Sequence, residues 1–489
     1  MNSNNFNDLL AVLNINDPSI VITKVEMIDD VKYIHIQRNP VPTFCPICNS
    51  RMHSKGLYTR KINHPVLQDS TKIFLVLKQR KWFCPVCGHY ENESFSFVER
   101  CKQSTNFTPL MVINCMKDLQ KTTAAVAQQF NLSDTQVHNI FTAYVDLKRL
   151  ELSEYISIDE VYLDINDTNK YAFVIMDFIT GQIIDIVHNR WSSTLCEYFA
   201  SIPREERLKV KGIISDAYGP YIDLARDFFP NGVSILDSFH VSKWLISRLN
   251  TYLYKLQRLF HEKDKERWQQ KAQSLNRNDI KGSDSMEVKL LKSYKWVLLK
   301  NKNEINYSTW RHYHPLLGMT VDTYQIEELF FRIDPKLKKY RDLKEKYISF
   351  NQGTYENEEQ VKESLESLIC LYQDSKEKIF VDFSLFLNAH KNEIIRSFTT
   401  VQVSRKSKTD QGNYYARLSN GPMESFNRKP KDYKRNTRGS SNFDYTRNRI
   451  LWSTRENPPI LGIPKTHDQI HSYRLPEKTL KRRKKQYNK

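Results

Sequence analysis

The sequence predicts a multidomain chain of the α+β and α/β classes. Its 489 residues correspond to roughly three domains of about 150 residues each. Paired cysteines and aromatic, strand-like runs fill the first 100 residues, and short β-branched strands alternate with helical stretches from 154 to 237. From 241 to about 400, apolar residues recur every three or four positions. These patterns predict a small cysteine-bearing module, an α/β domain and a long all-helical block.

The composition excludes several classes of protein. Hydrophobic residues make up 40% and aromatic residues 12% of the chain, which is enough to bury a core and argues against a wholly disordered protein. No apolar run approaches the roughly 18 residues that a membrane helix needs. The opening MNSNNFNDLL has no basic residue before its short apolar stretch, unlike a secretory signal. We therefore expect no membrane partner and a reducing, cytoplasmic location.

Glycine spacing argues against the common nucleotide-binding loops. The chain has 13 glycines, and the closest pair, Gly212 and Gly219, is seven residues apart. A dinucleotide-binding fingerprint needs glycines about two positions apart, and a phosphate-binding P-loop needs them about five apart. The sequence therefore predicts no nucleotide cofactor.

The chain is strongly basic, with 74 Lys and Arg against 56 Asp and Glu and a formal charge of +18. The excess is clustered, since residues 474–489 have eight basic residues and one acid, and residues 425–450 have eight against two. Clustered positive charge is typical of a surface that binds a polyanion, most often nucleic acid. A merely solvated basic surface is the alternative, but the clustering favours a nucleic-acid partner.

Four of the eight cysteines form two CxxC pairs, Cys45 with Cys48 and Cys84 with Cys87. The turn within each pair lets two thiolates face one ion, and Zn²⁺ accepts four thiolates in a closed structural site. The 35 residues between the pairs exceed the usual spacing, but a hairpin that includes IFLVLKQRKWF would span them. We expect a zinc-ribbon-like module with structural Zn²⁺. The alternative is four reduced cysteines without a metal.

Residues 122–141, TTAAVAQQFNLSDTQVHNIF, have the pattern of a helix-turn-helix. Asn131 stands in the turn, where Asn tolerates positive φ, and Ser133 can cap the second helix. Its exposed start would present Gln136 and Asn139, which can pair with adenine in a major groove. An ordinary helical hairpin in a core is the alternative. The expected buried face consists of Val126, Ala127, Phe130, Leu132, Val137 and Ile140.

Four carboxylates occupy positions that indicate a metal site. Asp159 lies inside the apolar strand ISIDEVYL, where an ionised carboxylate is costly unless it is paired or bound to metal. Asp216 ends the strand GIIS and Asp237 ends the strand VSIL, and the carboxyl ends of parallel strands converge on one crevice. Glu424 falls in the opening turn of a helix, where its alternative role is to complement the helix dipole. Three such carboxylates can hold two Mg²⁺ ions about 4 Å apart for phosphodiester chemistry.

Four segments, taken in chain order, have a family resemblance: SIDEVYL, IISDAYGPY, FPNGVSILDSFHVSKWL and SNGPMESFNRKPKDYKR. They resemble the bacterial insertion-sequence transposases of the ISL-three family, and the DxFHV and NGxxESxN elements in this order are quite specific. The resemblance covers most of the chain, including the cysteine module and the helix-turn-helix. It implies an RNase H-like DDE catalytic domain that the helical block interrupts as an insertion.

The resemblance also implies a role for each carboxylate. Asp159 would be the first catalytic residue, Asp216 the second and Glu424 the third, and together they would bind Mg²⁺ or Mn²⁺. We favour Asp216 over Asp237 because the second carboxylate of an RNase H-like domain follows the fourth strand, and GIIS is the fourth predicted strand. Asp237 and His240 would then support the site as near neighbours.

DNA is the partner that the resemblance implies, both as terminal inverted repeats and as target. Transposases bring two ends together, so we expect a homodimer or a larger oligomer, associated with the bacterial nucleoid. Phosphates beside the catalytic site would be bound by the basic residues that follow Glu424, namely Arg428, Lys429, Lys431, Lys434 and Arg435.

The predicted domain boundaries follow from these assignments. They are an N-terminal zinc-bearing region at 1–100, the helix-turn-helix at 101–152, the catalytic domain at 153–240 and 411–455, the helical insertion at 241–410 and a basic tail at 456–489. Two other functions are compatible with the sequence. One is a sequence-specific DNA-binding regulator derived from a transposase, and the other is a structure-selective nuclease on the same fold.

Overall fold

The chain divides into two compact units, each of which contains helices and sheets. The computed structural model describes residues 9–65, 72–166, 169–275, 282–405, 413–437 and 442–472. The first unit comprises the described parts of 1–149, 163–170 and 428–489, and the second comprises 150–162 and the described parts of 171–427. The predicted mixture of α and β structure is confirmed. The basic cluster predicted at 474–489 lies outside the described residues.

A five-stranded sheet begins the first unit. Its strands are β1 (Ile20–Ile28), β2 (Val31–Arg38), β3 (His53–His64), β4 (Lys72–Phe83) and β5 (Tyr90–Asn92). The order is β1-β2-β4-β3 with β5 paired to β4, and β2 is parallel to β4 while the other pairs are antiparallel. Side chains alternate between the faces of a strand, so Ile34 and Ile36 of β2 and Leu75 and Leu77 of β4 are buried in one core.

Three helices follow this sheet in the first unit: α1 (Thr108–Cys115), α2 (Thr123–Phe130) and α3 (Asp134–Tyr144). Val126, Phe130 and Val137 are buried as expected. The prediction was wrong for Leu132 and Ile140, which are both half-buried, whereas Phe141 is fully buried. Val137 and Phe141 are four residues apart and therefore share one face of the helix.

The second unit contains a mixed five-stranded sheet. Its strands are β6 (Tyr155–Asn166), β7 (Asn169–Asp177), β8 (Ile183–Val187), β9 (Gly212–Ser215) and β10 (Val233–Leu236), and residues 163–170 of β6 and β7 group with the first unit. The order is β10-β9-β6-β7-β8, with β6, β9 and β10 mutually parallel and β7 antiparallel to β8. The helices of this region are α4 (Ser192–Ala200), α5 (Arg204–Arg207) and α6 (Gly219–Phe228). Buried apolar side chains of the sheet and of α4 and α6 form one core.

A block of helices with its own core follows β10. The helices are α7 (Ser238–Ser274), α8 (Met286–Ser293), α9 (Trp296–Leu299), a 3₁₀ turn (Lys302–Glu304), α10 (Thr323–Arg332), α11 (Pro335–Gln352), α12 (Glu358–Asp374), α13 (Lys378–Ala389) and α14 (Lys391–Arg396). Leu245, Leu249 and Leu253 recur every four residues of α7 and are buried in this core. Trp244 of α7 stacks on Phe383 of α13 with 5.4 Å between ring centroids.

The expectation that this block is entirely helical was wrong. A short hairpin of β11 (His312–His314) and β12 (Met319–Val321) interrupts it. Pro315 disfavours helix at this point, and Gly318 has a φ of +69°, which suits a tight turn. A second hairpin, β13 (Thr400–Val403) with β14 (Tyr414–Arg417), follows the last helix of the block.

Three helices end the described chain: α15 (Gly421–Thr437), α16 (Phe443–Thr454) and α17 (His467–Ser472). Helix α16 packs within the first unit, where the Trp452 indole donates to the carbonyl of Ile113 at 3.0 Å. The buried Arg449 guanidinium donates to the carbonyls of Asp118 and Lys121 at 2.7 and 3.0 Å. None of the helices in the described ranges is both long and apolar enough to cross a membrane.

Candidate functional site

Two of the four predicted carboxylates follow adjacent parallel strands. Asp216 comes directly after β9 and Asp237 directly after β10, and the last residues of these strands, Ser215 and Leu236, are paired in register. The two side chains therefore leave the sheet at the same edge. Asp159 lies on β6, two residues beyond Ser157, at which β6 pairs with β9. The strand order thus places three carboxylates at the carboxyl end of the parallel part of the sheet.

Asp237 is the most deeply buried of the four carboxylates, with 0% of its surface exposed. Its Oδ1 accepts a hydrogen bond from the backbone N–H of Asn420 at 3.0 Å. Its Oδ2 has no hydrogen-bond partner among the described residues and lies 3.9 Å from Nε2 of His240. Because a buried, ionised oxygen without a partner is unfavourable, this side chain requires a proton or a cation.

Glu424 lies in the first turn of α15, between two asparagines that were not predicted to be site residues. Asn427 Nδ2 donates to Asp159 Oδ2 at 2.7 Å, and Asn420 Nδ2 donates to the carbonyl of Ile158 at 3.1 Å. The two asparagines lie four residues before and three residues after Glu424, so all three share one helical face. The NGxxESxN spacing contained this signal, but asparagine is so common on surfaces that it was not singled out.

The amide oxygens of these asparagines are buried and unpaired. Asn420 and Asn427 are 1% and 4% exposed, and neither Oδ1 atom has a hydrogen-bond partner within the described part of the chain. Together with Oδ2 of Asp237, they supply three orphaned oxygens in one region. Oxygen ligands of this kind, and waters held by them, are what Mg²⁺ and Mn²⁺ prefer. The residues present therefore fit a hard divalent cation.

Electrostatic interactions connect all four carboxylates. Burial raises the pKa of Asp159 above its ordinary value, and repulsion from Asp216 adds to the shift. Burial also raises the pKa of Asp216 and of Asp237. Burial raises the pKa of Glu424, with further contributions from Asp237 and Asp159. An interaction with His240 lowers the pKa of each carboxylate and so opposes each of these shifts.

The predicted catalytic residues are not all equally close. Within the described residues, one carboxylate-containing group has potential ligand atoms that all lie within 4.8 Å of one another, and it consists of Asp237, His240 and Glu424. Asp159 is near enough to Asp216 and to Glu424 for their charges to repel, but neither Asp159 nor Asp216 is part of that group. The structure thus gives the two residues predicted as supporting neighbours a more central position than the sequence suggested.

Glu160 follows Asp159 in β6 and has different partners. Its carboxylate accepts a hydrogen bond from the Tyr221 hydroxyl at 2.5 Å and forms an ion pair with Arg190 at 2.6 Å. Successive side chains of a strand point to opposite faces, so this pairing is expected for the neighbour of a site residue. Glu160 is therefore satisfied without a metal.

The two CxxC pairs come together at one end of the first sheet. Cys45 Sγ lies 3.4 Å from Cys87 Sγ, and Cys48 Sγ lies 3.4 Å from Cys84 Sγ. Zn–S bonds of about 2.3 Å in a tetrahedral site place sulfurs about 3.8 Å apart, which is close to the observed arrangement. Hydrogen bonds from Ser50 lower the pKa of the Cys48 thiol to about 6, whereas burial and the other three thiols raise the pKa of Cys87 against a backbone hydrogen bond from His89. The four cysteines can therefore hold one zinc ion.

The two CxxC turns have the same backbone geometry. Each ends at a residue with positive φ, Asn49 at 54° and Gly88 at 73°, whose N–H donates to the carbonyl of Cys45 or Cys84.

Helices α2 and α3 are joined through Asn131, which has a φ of 53°. Ser133 caps α3 by accepting from the backbone N–H of Gln136.

The proposed DNA-reading side chains on α3 differ in their surroundings. Gln136 is exposed, but its Oε1 accepts hydrogen bonds from the backbone N–H and the hydroxyl of Ser133, at 2.8 and 3.2 Å, in a capping box. Asn139 is half-buried, and its Oδ1 has no hydrogen-bond partner among the described residues. Because that oxygen is shielded from solvent, the Asn139 side chain would have to rotate before it could contact a base.

The basic residues predicted to bind phosphate all lie on α15. Arg428, Lys429, Lys431 and Arg435 are exposed, and Lys434 is half-buried. Arg435 forms an ion pair with Asp432 at 3.2 Å. Most of this positive charge is therefore open to solvent and to a polyanion.

Comparison with protein families gives one match. A family model described as a transposase, that of the ISL-three DDE transposases, matches residues 156–450, which is more than half of the 489-residue chain. Comparison with curated proteins finds no match. The family match spans Asp159, Asp216, Asp237 and Glu424, and it confirms the resemblance noted in the sequence. The chain belongs to the ISL-three family of DDE transposases.

Proposed function

We propose that the protein is a Mg²⁺-dependent DNA transposase. It would bind the terminal inverted repeats of an insertion sequence, cut the DNA there and join the freed 3′ ends to target DNA. The observation that supports this most is the electrostatic coupling of Asp159, Asp216, Asp237 and Glu424, which come from four separate elements. Membership of a transposase family supports DNA as the substrate.

The sheet supports an RNase H-like catalytic domain as part of the proposal. β9 is the fourth strand, in chain order, of the five-stranded sheet in the second unit, and it pairs in parallel with β6 and β10. Asp216, at the end of β9, is therefore our choice for the second catalytic carboxylate, with Asp159 as the first and Glu424 as the third. Asp237 and His240 lie one strand further and complete the surroundings of Glu424.

The protein's own residues would orient the reacting groups. Asp159, Asp216 and Glu424 would hold Mg²⁺, which when bound acidifies an attacking water or 3′-hydroxyl and stabilises the leaving oxygen. Asn427 fixes one oxygen of Asp159, and the Asn420 backbone fixes one oxygen of Asp237. The second contact leaves the other oxygen of Asp237 without a hydrogen-bond partner among the described residues, so it could face a cation. No Tyr or Ser nucleophile is required, because the attacking oxygen belongs to water or DNA.

Recognition of the DNA ends is assigned to the first unit. We propose that α2 and α3 form a helix-turn-helix, that Gln136 and Asn139 contact bases, and that the four cysteines hold structural Zn²⁺. Arg428, Lys429, Lys431, Lys434 and Arg435 would bind phosphates. Two ends must be held together, so we propose a homodimer or larger assembly that acts at the nucleoid.

The direct test uses purified protein, Mg²⁺ and a DNA fragment with the inverted repeats that flank the gene. We expect strand cleavage at the repeat ends and joined products when target DNA is added. Asp216→Asn should lower the cleavage rate by about a thousandfold or more, since it removes a charged ligand. Asp223→Asn is the matched control, because Asp223 is an exposed carboxylate on α6, seven residues away, and should leave the rate unchanged.

The other outcomes decide between the alternatives. Cleavage without joined products would indicate a nuclease. Specific binding of the repeats without cleavage, in Mg²⁺ or in Mn²⁺, would indicate a regulator. Full activity of the Asp216→Asn variant would contradict our choice of second carboxylate and favour Asp237.

A further inference from the structure

A second set of candidate metal ligands shares Glu424 with the proposed Mg²⁺ site but includes a nitrogen atom. We propose that Asp237, His240 and Glu424 form a transition-metal site that binds Mn²⁺ in preference to Mg²⁺. One potential ligand atom from each residue lies within 4.8 Å of the other two. The assignment rests on the proposed function only in that both use Glu424, and it concerns which ion is bound rather than which DNA is cut.

Asp237 and His240 are positioned by the start of α7. Asp237 is the residue before the first turn, and His240 lies three positions later on the same helical face. Oδ2 of Asp237 and Nε2 of His240 are 3.9 Å apart, which is too long for a hydrogen bond. The pair is thus held close without being joined directly, which leaves space for a bridging ion.

The distances are compatible with one ion after a small adjustment. Metal–nitrogen and metal–oxygen bonds of about 2.1 Å place opposite ligands about 4.2 Å apart. The Asp237 and His240 atoms, 3.9 Å apart, are already within that limit, and rotation of the Glu424 side chain can adjust its distance from them. Glu424 and His240 are only half-buried, so both have room to rotate.

Unsatisfied oxygens near these ligands are an independent indication of a bound ion. The Asp237 side chain is 1% exposed, and its Oδ2 has no hydrogen-bond partner in the described ranges. Asn420, which donates its backbone N–H to the other oxygen of Asp237, also has a buried and unpaired Oδ1. Leaving two such oxygens unpaired costs free energy, and a cation with its waters would satisfy them.

The ligand types determine which ion is preferred. Mg²⁺ favours oxygen ligands and retains several waters, whereas a site that includes an imidazole nitrogen favours first-row transition metals, of which Mn²⁺ is the one best suited to carboxylate ligands. A set of two carboxylates and one imidazole should therefore bind Mn²⁺ more tightly than Mg²⁺. The same reasoning predicts the affinity order Mg²⁺, Mn²⁺, Co²⁺, from weakest to strongest.

The test measures metal binding directly, without any DNA reaction. Mn²⁺ is titrated into the full-length protein, isolated with zinc in its cysteine site, and free Mn²⁺ is followed by electron paramagnetic resonance. We expect His240→Gln to weaken Mn²⁺ binding by about tenfold or more and to change Mg²⁺ binding, measured by competition, by less than about twofold. His390→Gln is the matched control, because His390 lies at the end of α13 in the helical block, and it should bind Mn²⁺ as the unchanged protein does.

A second measurement does not depend on a variant that folds. Pulsed resonance spectra of Mn²⁺ bound to the unchanged protein should show coupling to a directly bound nitrogen. Absence of nitrogen coupling, or equal Mn²⁺ affinity in both proteins, would overturn the assignment. If His240-dependent Mn²⁺ binding is found but the DNA ends are not cut, the metal site stands and the proposed function fails. If the DNA ends are cut but His240-dependent Mn²⁺ binding is not found, the proposed function stands and the metal site fails.

Discussion

The Asn427 side chain holds Asp159 by a single hydrogen bond of 2.7 Å, and this contact has a testable consequence. Replacing Asn427 with Ala frees the carboxylate to rotate, so we expect the rate of strand cleavage to fall by about 10- to 100-fold. The affinity for DNA should not change, because Asn427 is 4% exposed. Single-turnover cleavage and a DNA-binding assay separate the two effects.

Ser425 provides a control for this substitution. It is an exposed residue of the same helix, two positions away, and Ser425→Ala should cut DNA at the original rate. Equal loss of activity in both variants would show that α15 is merely sensitive to change. An unchanged rate in Asn427→Ala would show that Asp159 does not need this contact.

The raised pKa of Asp237 predicts a pH-dependent stability. Folding raises this pKa above 3.8 through burial, so the folded state binds the proton more tightly than the unfolded state. As the pH rises from 3.8 through the folded pKa, the carboxyl therefore lowers the free energy of unfolding by an increasing amount. This holds provided that no divalent cation is bound. Asn is neutral and can accept the same backbone hydrogen bond.

Asp237→Asn should accordingly raise the melting temperature at pH 7 in buffer without Mg²⁺ or Mn²⁺, by roughly 2–4 °C. Near pH 4 the difference should become small. Thermal unfolding followed by fluorescence at the two pH values measures it. Added Mn²⁺ should stabilise the original protein more than the variant. A variant that melts lower at both pH values would contradict this account of the buried charge.

The carboxylates of the site could be predicted from the sequence, but their supporting residues could not. Asp216 and Asp237 end short apolar strands, and Glu424 begins a helix, so local patterns indicate all three. Asn427 and Asn420 act on partners 268 and 183 or more residues earlier in the chain. Such contacts depend on which elements pack together, and no local pattern contains that information.

At the scale of elements, substitution of one of the four cysteines tests the proposed zinc site at the end of the first sheet. Cys84→Ser removes one of four thiolates, so we expect loss of bound zinc and loss of binding to the DNA ends. Zinc content by mass spectrometry and a DNA-binding assay measure these effects. Cys196→Ser is the control, because Cys196 is exposed and isolated on α4. A zinc content of zero in the unchanged protein would favour four reduced cysteines.

Substitutions of the two residues of α3 that are proposed to contact bases should have different effects. Gln136→Ala breaks the capping box with Ser133, so it should lower stability by about 1 kcal/mol. Asn139→Ala should leave stability nearly unchanged and weaken discrimination between repeat and unrelated DNA by about 1–3 kcal/mol. Thermal unfolding and competition binding distinguish the two. Unchanged discrimination in Asn139→Ala would remove it from the set of DNA contacts.

The spacing of apolar residues predicted the helical block but not the hairpin that interrupts it. The helical block follows the three-to-four spacing of its apolar residues, and α7 has Leu245, Leu249 and Leu253 at this spacing. The hairpin of β11 and β12 was missed because its strands are only three residues each. At that length there is no period to detect, and Pro315 with Gly318 indicated a break without indicating what replaces the helix.

At the scale of the whole molecule, the exposed positive charge of α15 predicts a salt-dependent affinity for DNA. Replacing Lys429 and Lys431 with Ala should weaken binding to all sequences alike and should reduce the slope of log affinity against log salt by about 2. Binding titrations at several salt concentrations measure the slope. The matched control replaces Lys338 and Lys378, two exposed lysines of the helical block. An equal change in both double variants would indicate a general effect of net charge.

The order of the blocks was predictable, but their association was not. Helix α16 lies within the predicted catalytic segment at 411–455. In the structure it groups with the first unit, through Trp452 and the buried Arg449. These two residues contact partners more than 300 positions earlier in the chain, and no local pattern contains that information.

Helix α7 has 37 residues and is therefore about 55 Å long. His240 belongs to its first turn, whereas Asp237 is tied to the end of β10 and to the backbone of Asn420. An ion bound by both side chains would therefore join the end of β10 to the first turn of a helix whose Leu245, Leu249 and Leu253 are buried in the core of the insertion.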